Sequence, residues 1–185
     1  MSNAVKLGQD IRALRNVRKM TLDKMSQQLG RSVGWLSQIE RGLSTPTMDD
    51  LREIATLFDV PLSLFFGTAE APENEQGRVV RAAARRQIGA YENGLVETLI
   101  SPDLTDDFEV IHSTFKPGAA VTETIKRPTT EVGYLISGTL DLWIKDEMYT
   151  IQTGDSFRIR GESFRWANPY DIPAVALWII SPPVY

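Results

Sequence analysis

The 185-residue sequence contains no cysteine and a single histidine, His112. Disulfide scaffolds, thiolate zinc sites, iron–sulfur clusters and cysteine nucleophiles are therefore excluded. One imidazole cannot supply a metal site that needs two within a subunit, and it leaves a histidine general base with one candidate. Most hydrolase mechanisms fall with it. Long hydrophobic runs are also missing. The longest, Ala174 to Ile180, is far below the ~20 residues that span a bilayer, and the opening MSNAVKLGQD has no apolar stretch of the signal-peptide kind. The expectation is a soluble, cytoplasmic protein with no membrane partner.

What is present is 42% hydrophobic and 24% charged residues, enough for one compact domain or two small ones. The net charge of −4 conceals a division. Residues 1–67 carry nine Lys/Arg and seven Asp/Glu, whereas the remaining 118 carry eleven and seventeen. So small a basic excess at one end matters only if it gathers on one face. Composition shifts in kind as well, from Leu, Met, Gln and Arg at helical spacing to Gly-punctuated β-formers beyond Pro117. Between them Gly67 to Gly77 lacks apolar periodicity and reads as a linker. The adjoining RVVRAAARR, Arg78 to Arg86, either touches phosphate or faces solvent on an edge strand. The domains expected are 1–67, a connection with a first basic strand over 68–87, and 88–185.

The first part predicts five short helices. Leu7, Ile11, Leu14 and Val17 line one side of the first, over roughly Val5 to Arg18. Thr21 caps the second, Leu22, Met25 and Leu29 face inward, and Gly30 ends it. Ser32 restarts a helix that buries Val33, Leu36 and Ile39 and stops at Gly42. Thr47, Asp49 and Asp50 open a fourth, and Pro61 is placed to start a fifth. Two eight-to-ten-residue helices joined by a tight Gly-containing turn form a helix-turn-helix, whose second helix enters the major groove.

The segment TLDKMSQQLG-RSVGWLSQIERG-LSTPTMDDLREIATLFDVPLSLFF resembles the helix-turn-helix domain of the phage-repressor-like (Xre) regulators over about residues 5–67. The resemblance implies an all-α, five-helix, lambda-repressor-like domain. It further implies that Val33, Gly34, Ser37 and Gln38 approach base edges, while Thr21, Arg31, Ser32, Leu43, Ser44 and Thr45 approach phosphates. Arg15 and Glu40 correspond to an interhelical ion pair. Residue chemistry agrees: Gln38 can pair bidentately with adenine, Ser37 can donate or accept, and Val33 can meet a thymine methyl. Arg31 and Arg41 supply sequence-independent attraction. Trp35 lies along the sugar-phosphate surface or packs under the fourth helix.

The second part alternates in short runs at 96–100, 109–115, 131–137, 139–145, 148–152, 156–160 and 174–180, separated by turn signals, as an antiparallel sandwich or jelly roll requires. Pro117 to Gly138 and Gly154 to Asn168 resemble the two motifs of the cupin family, which implies an all-β jelly-roll barrel. The family's metal ligands fall on Thr124, Lys126, Glu131 and Phe164, so three of four are replaced. One carboxylate beside an ammonium does not hold a transition metal. No metal and no cofactor are expected, and catalysis becomes improbable.

There remains an interior able to enclose one small molecule, with Thr124, Lys126, Glu131, Leu135, Phe164 and Trp166 as candidate lining. Glu131 and Lys126 either meet a ligand or neutralise each other. An Xre-like domain before a cupin resembles bacterial transcription regulators that couple DNA binding to a sensed metabolite. The expected partners are a double-stranded operator, a small-molecule effector and a second subunit. Two other readings stay open: a metal-dependent cupin enzyme with an accessory helix-turn-helix, and a cupin serving only as a dimerisation module.

Overall fold

A computed structural model describes residues 3–66, 72, 74–75, 77–88 and 93–184. Much of the expected linker, including 67–71, lies outside them. The chain divides into two compact units, one from Met1–Arg86 with Ser101–Asp107, the other from Gln87–Ile100 with Phe108–Val184.

The first unit is helical: α1 (Asn3–Val17), α2 (Leu22–Leu29), α3 (Val33–Glu40) and α4 (Met48–Phe58). The predicted caps form. Thr21 and Ser32 accept hydrogen bonds from the amides of Lys24 and Trp35, and Gly30 ends α2 in the left-handed conformation. Thr47 and Asp50 make a reciprocal capping box at α4. Ile11, Leu14, Met25, Leu36, Ile39, Ile54 and Leu64 are fully buried. Gly8 lets α1 lie against the end of α3, since a Cβ there would stand 2.2 Å from the Ile39 carbonyl oxygen. Arg15 grips Glu40 bidentately, Nε to Oε1 at 2.6 Å and Nη2 to Oε2 at 2.9 Å, and this is the architectural pair the resemblance implied.

The fifth helix requires correction. Pro61 opens only one 3₁₀ turn, Leu62–Phe65, and Phe66 is already extended. Four residues cannot repay helix nucleation, so burial of Leu64 and Phe65 holds a tighter, shorter turn instead. The basic stretch is not a solvent-facing strand throughout. Arg81 pairs with Glu75, while Arg86 is buried, its Nη2 donating to Asp10 Oδ2 at 2.7 Å and its Nη1 to the Leu64 carbonyl at 3.2 Å. Burial raises the Asp10 carboxyl above its ordinary value, and Arg86 opposes that only in part.

The second unit carries nine strands among the described residues: β1 (Arg86–Gln87), β2 (Leu95–Leu99), β3 (Glu109–Phe115), β4 (Thr130–Ser137), β5 (Thr139–Ile144), β6 (Glu147–Gln152), β7 (Ser156–Arg160), β8 (Phe164–Ala167) and β9 (Ala174–Ser181). They form a six-stranded sheet, β1-β2-β3-β9-β4-β7, and a three-stranded one, β6-β5-β8. Burial alternates along β3, β4 and β9, so one face of the large sheet turns inward. The pairing of Gly133 with Phe157 shows why glycine is needed there: a Cβ would meet the phenyl ring at 2.1 Å. That ring packs edge-on against Trp178 at 4.9 Å.

Candidate nucleic-acid interface and sheet interior

On α3 the 3.6-residue period separates two roles. Leu36, Ile39 and Glu40 go to the core; Val33, which the spacing placed in the buried stripe, is instead exposed with Gly34 and Gln38, and Ser37 is half-buried. All four predicted base-reading residues therefore lie off the buried stripe. Ser32, at the N-cap, accepts from the Trp35 amide with its oxygen and keeps its hydroxyl proton for an outside acceptor. Thr21 caps α2 in the same way, and both are exposed. A helix N-terminus with such a hydroxyl favours phosphate. After α3, Leu43 is 69% exposed, Thr45 is exposed and Ser44 half-buried, with the Leu43 amide bonded to the Gln38 carbonyl. The loop is thereby fixed to the end of α3.

The two arginines differ from a simple cationic fringe. Arg41 is exposed and its Nε donates to the Ser37 carbonyl at 3.1 Å. Arg31 donates from Nη2 and Nε to Asp50 Oδ1 at 2.6 and 3.1 Å, has Glu53 at 3.6 Å, and lies over the Trp35 ring at 5.6 Å. Burial pushes the Asp50 carboxyl up, but the Thr47 hydroxyl and amide and the Arg31 guanidinium outweigh it, and the group stays below the usual carboxylate range. Arg31 thus reaches the surface with its charge already balanced. Asp50 and Glu53 were the unread partners. Asp50 was legible only as a first-turn acid, because its distance from Arg31 in sequence is 19 residues.

Inside the second unit the pocket expectations divide. Glu131 is 1% exposed, and Leu135, Phe164 and Trp166 are buried with it. Trp166 meets Phe115 edge-on at 4.7 Å, and Phe164 lies 6.1 Å from Trp178. Thr124 and Lys126 are exposed, which corrects their assignment to the interior. The reason is local register. Ile125 exchanges both backbone hydrogen bonds with Phe164, so in this extended segment its immediate neighbours face the other way. Among the described residues no ion pair joins Lys126 to Glu131.

Glu131 instead accepts from the Thr129 hydroxyl at 2.7 Å, and Glu97 accepts from fully buried Ser113 at 2.9 Å. Burial raises the Glu97 carboxyl; Ser113 and the Arg127 charge oppose the rise, and Glu131 adds to it. Glu97, Ser113, Thr129 and Arg127 were missed, although alternation through VETLI and EVIHSTF marks Glu97 and Ser113 as inward. The donor set does not fit the cupin metal: Phe164 offers no ligand atom, Thr124 and Lys126 face out, and among the described residues no group of three or more His, Asp or Glu is placed to hold an ion. A separate cavity of about 580 Å³, between α1 residues such as Arg12 and the 103–107 segment, contains none of the predicted site residues.

A helix-turn-helix domain model matches residues 6–65 and a cupin domain model residues 111–180. The transcriptional regulator ClgR of Mycobacterium tuberculosis is 33% identical over 97 residues, 52% of this chain and 87% of that protein. The chain belongs to the helix-turn-helix transcriptional regulators. This regulator is also 24% identical over 155 residues to the HTH-type transcriptional regulator PuuR of Escherichia coli, covering 82% of its own chain and 81% of the relative. Its second unit shares the fold of an RmlC-like cupin from Shewanella frigidimarina, with a TM-score of 0.50, 14% identity, and coverage of 57% of this chain and 90% of that one. No helix among the described residues is long and apolar enough to cross a membrane.

Proposed function

We propose that this regulator binds an operator duplex in the cytoplasm as a homodimer, with Val33, Gly34, Ser37 and Gln38 of each α3 at base edges. Thr21, Ser32, Arg41 and the Leu43–Thr45 loop meet phosphates, and Arg31 orients beside them. The observation that carries this reading is the exposed face of α3, flanked by two hydroxyl-capped helix starts. Residues 1–67 form the reading domain, 68–87 the connection, and 88–185 a jelly-roll sensor that also joins the two subunits.

The sensor takes a small molecule between its sheets. Glu131 and Glu97 accept hydrogen bonds from an amine or hydroxyl group, and Phe164, Trp166 and Leu135 supply the apolar wall. A ligand shifts operator affinity only as far as its own affinity differs between the free and DNA-bound arrangements. The barrel has no catalytic role in this reading, since its donor set suits binding. A purely structural cupin has one observation in its favour, the close packing of Phe157 over Gly133 and against Trp178.

Genomic fragments selected by the full-length protein, followed by anisotropy titration against scrambled duplexes, test the first part. Preference of at least ~1,000-fold for the selected sequence is expected. Equal affinity for every duplex overturns the reading. Native mass spectrometry of protein purified from its host then separates sensor from scaffold: a retained small molecule lost on Glu131→Gln supports sensing.

A further inference from the structure

The outward positions of β4 and β9, neighbouring interior strands of the six-stranded sheet, carry no Asp, Glu, Lys or Arg. Register sets Val132 beside Ile179 and Tyr134 beside Leu177, and Val110 of β3 flanks Ile179 on its other side. Val132, Tyr134, Ile136 and Ile179 are 38, 47, 40 and 48% exposed. Charge returns only at the edge, where Arg158 and Arg160 of β7 stand opposite Val132 and Thr130. An aromatic and aliphatic centre free of charge inside a polar rim is the anatomy of a protein interface, and a contiguous apolar patch of this kind is uncommon on a solvated monomer. The outward face of the small sheet is different, with Arg165 stacked 3.8 Å over Trp143 beside Asp141.

We propose that this face is where two copies of the regulator meet, sheet on sheet about a two-fold axis; the proposal rests on the reading of the chain as an operator-binding homodimer. Three considerations select a second copy. The outward residues of β4 and β9 offer no Asp, Glu, Lys or Arg to select a charged partner, whereas a twin of the same sheet matches them in the aligned packing that sheets adopt. With strands about 4.8 Å apart and residues about 3.3 Å along each, β3, β9, β4 and β7, of seven, eight, eight and five residues, give a flat footprint on the order of 450 Å² per copy. The corrugated accessible area is larger, so two copies together reach about 1,000 Å², the lower bound for a stable interface. Finally, paired half-sites about 34 Å apart need two reading helices related by a two-fold axis.

Sedimentation velocity on the full-length chain tests the assignment. Tyr134→Glu and Ile179→Lys are each expected to weaken self-association about 100-fold or more, because each buries an unpaired charge at the centre of the face. Met148→Glu, at a 52% exposed position on the small sheet, leaves it unchanged. If folded Tyr134→Glu and Ile179→Lys proteins remain dimers, the face is wrong and the homodimer stands. If the wild type is a monomer both free and on its operator, face and homodimer fall together. Should the charged variants misfold, the cysteine-free background decides. Single cysteines at Val132, Tyr134 and Ile179 are then oxidised in separate proteins. Cross-linking at one or more of these positions and none at Met148→Cys supports the face, and equal or absent cross-linking at all four overturns it.

Discussion

The helical unit and the β unit handle polar groups in opposite ways. In the helical unit buried Glu40 is matched by Arg15, Asp50 by Thr47 and Arg31, and Asp10 in part by Arg86, and the groups assigned to DNA are turned outward. In the β unit Glu97 and Glu131 sit inward with hydroxyl partners and no ion pair within salt-bridge distance among the described residues. The helical unit answers its buried carboxylates with guanidinium groups at contact distance, whereas Glu97 feels the Arg127 charge only from beyond salt-bridge reach. Breaking the first arrangement strands a buried charge; the second carries its desolvation cost already, as the raised Glu97 carboxyl records.

The sharpest way to break this contrast is at the Arg15–Glu40 pair, whose side chains are 12% and 5% exposed. Arg15→Met leaves Glu40 buried and unpaired and is expected to cost about 3 kcal/mol in chemical denaturation followed by far-UV dichroism. Adding Glu40→Leu should recover most of it; a double variant as unstable as the single would show the pair is not the cause. At the reading face, Gln38→Ala is expected to cost about 1–3 kcal/mol on the selected operator and to flatten preference at one base position only. Anisotropy across single-base operator variants reads this directly, and uniform weakening would remove Gln38 from base contact.

Acidification should move the two units in opposite senses at the groups named. Asp50 is held below its ordinary range, so its contribution is complete above about pH 4 and is lost as pH falls through its folded value. Glu97 is raised, so its protonated form favours the fold, and that stability is lost as pH rises from about 4 through its folded value. Asp10 is raised as well and works against Asp50 within the helical unit, so substitutions rather than the wild-type profile are decisive. Asp50→Asn should lessen the acid sensitivity of the helical unit. Glu97→Gln should make the β unit more stable at neutral pH and remove its downward slope, as followed by tryptophan emission during thermal melts. A Glu97→Gln protein with an unchanged slope would contradict the cause given for the shift. The smallest effect is expected for Arg31→Ala: because Asp50 and Glu53 already balance Arg31, the slope of log affinity against log salt should change by less than about one. A full unit would mean that Arg31 leaves Asp50 for phosphate.

What could be read in the sequence follows the range of the interactions concerned. Thr21, Ser32, Thr47 and Gly30 act within one helical turn, and each does what its type and position indicate. Strand runs such as 109–115 and 156–160 match because alternation is local as well. The failures are non-local. Lys126 was placed inside by counting along a motif, but a bridge from Ile125 to Phe164 sets which neighbours face inward. Arg86 read as part of a basic run, yet its partner Asp10 is 76 residues away. Leu62–Phe65 looked like the start of a helix because propensity does not count how few residues follow.

Trp35 has one further consequence. It is the sole indole of residues 1–86, a half-buried residue of the reading helix itself with a guanidinium over its ring, while Trp143, Trp166 and Trp178 all belong to the β unit. With those three replaced by phenylalanine, the remaining fluorophore would serve as a built-in optical probe of docking, its emission responding as a nucleic acid backbone replaces water around the half-buried ring.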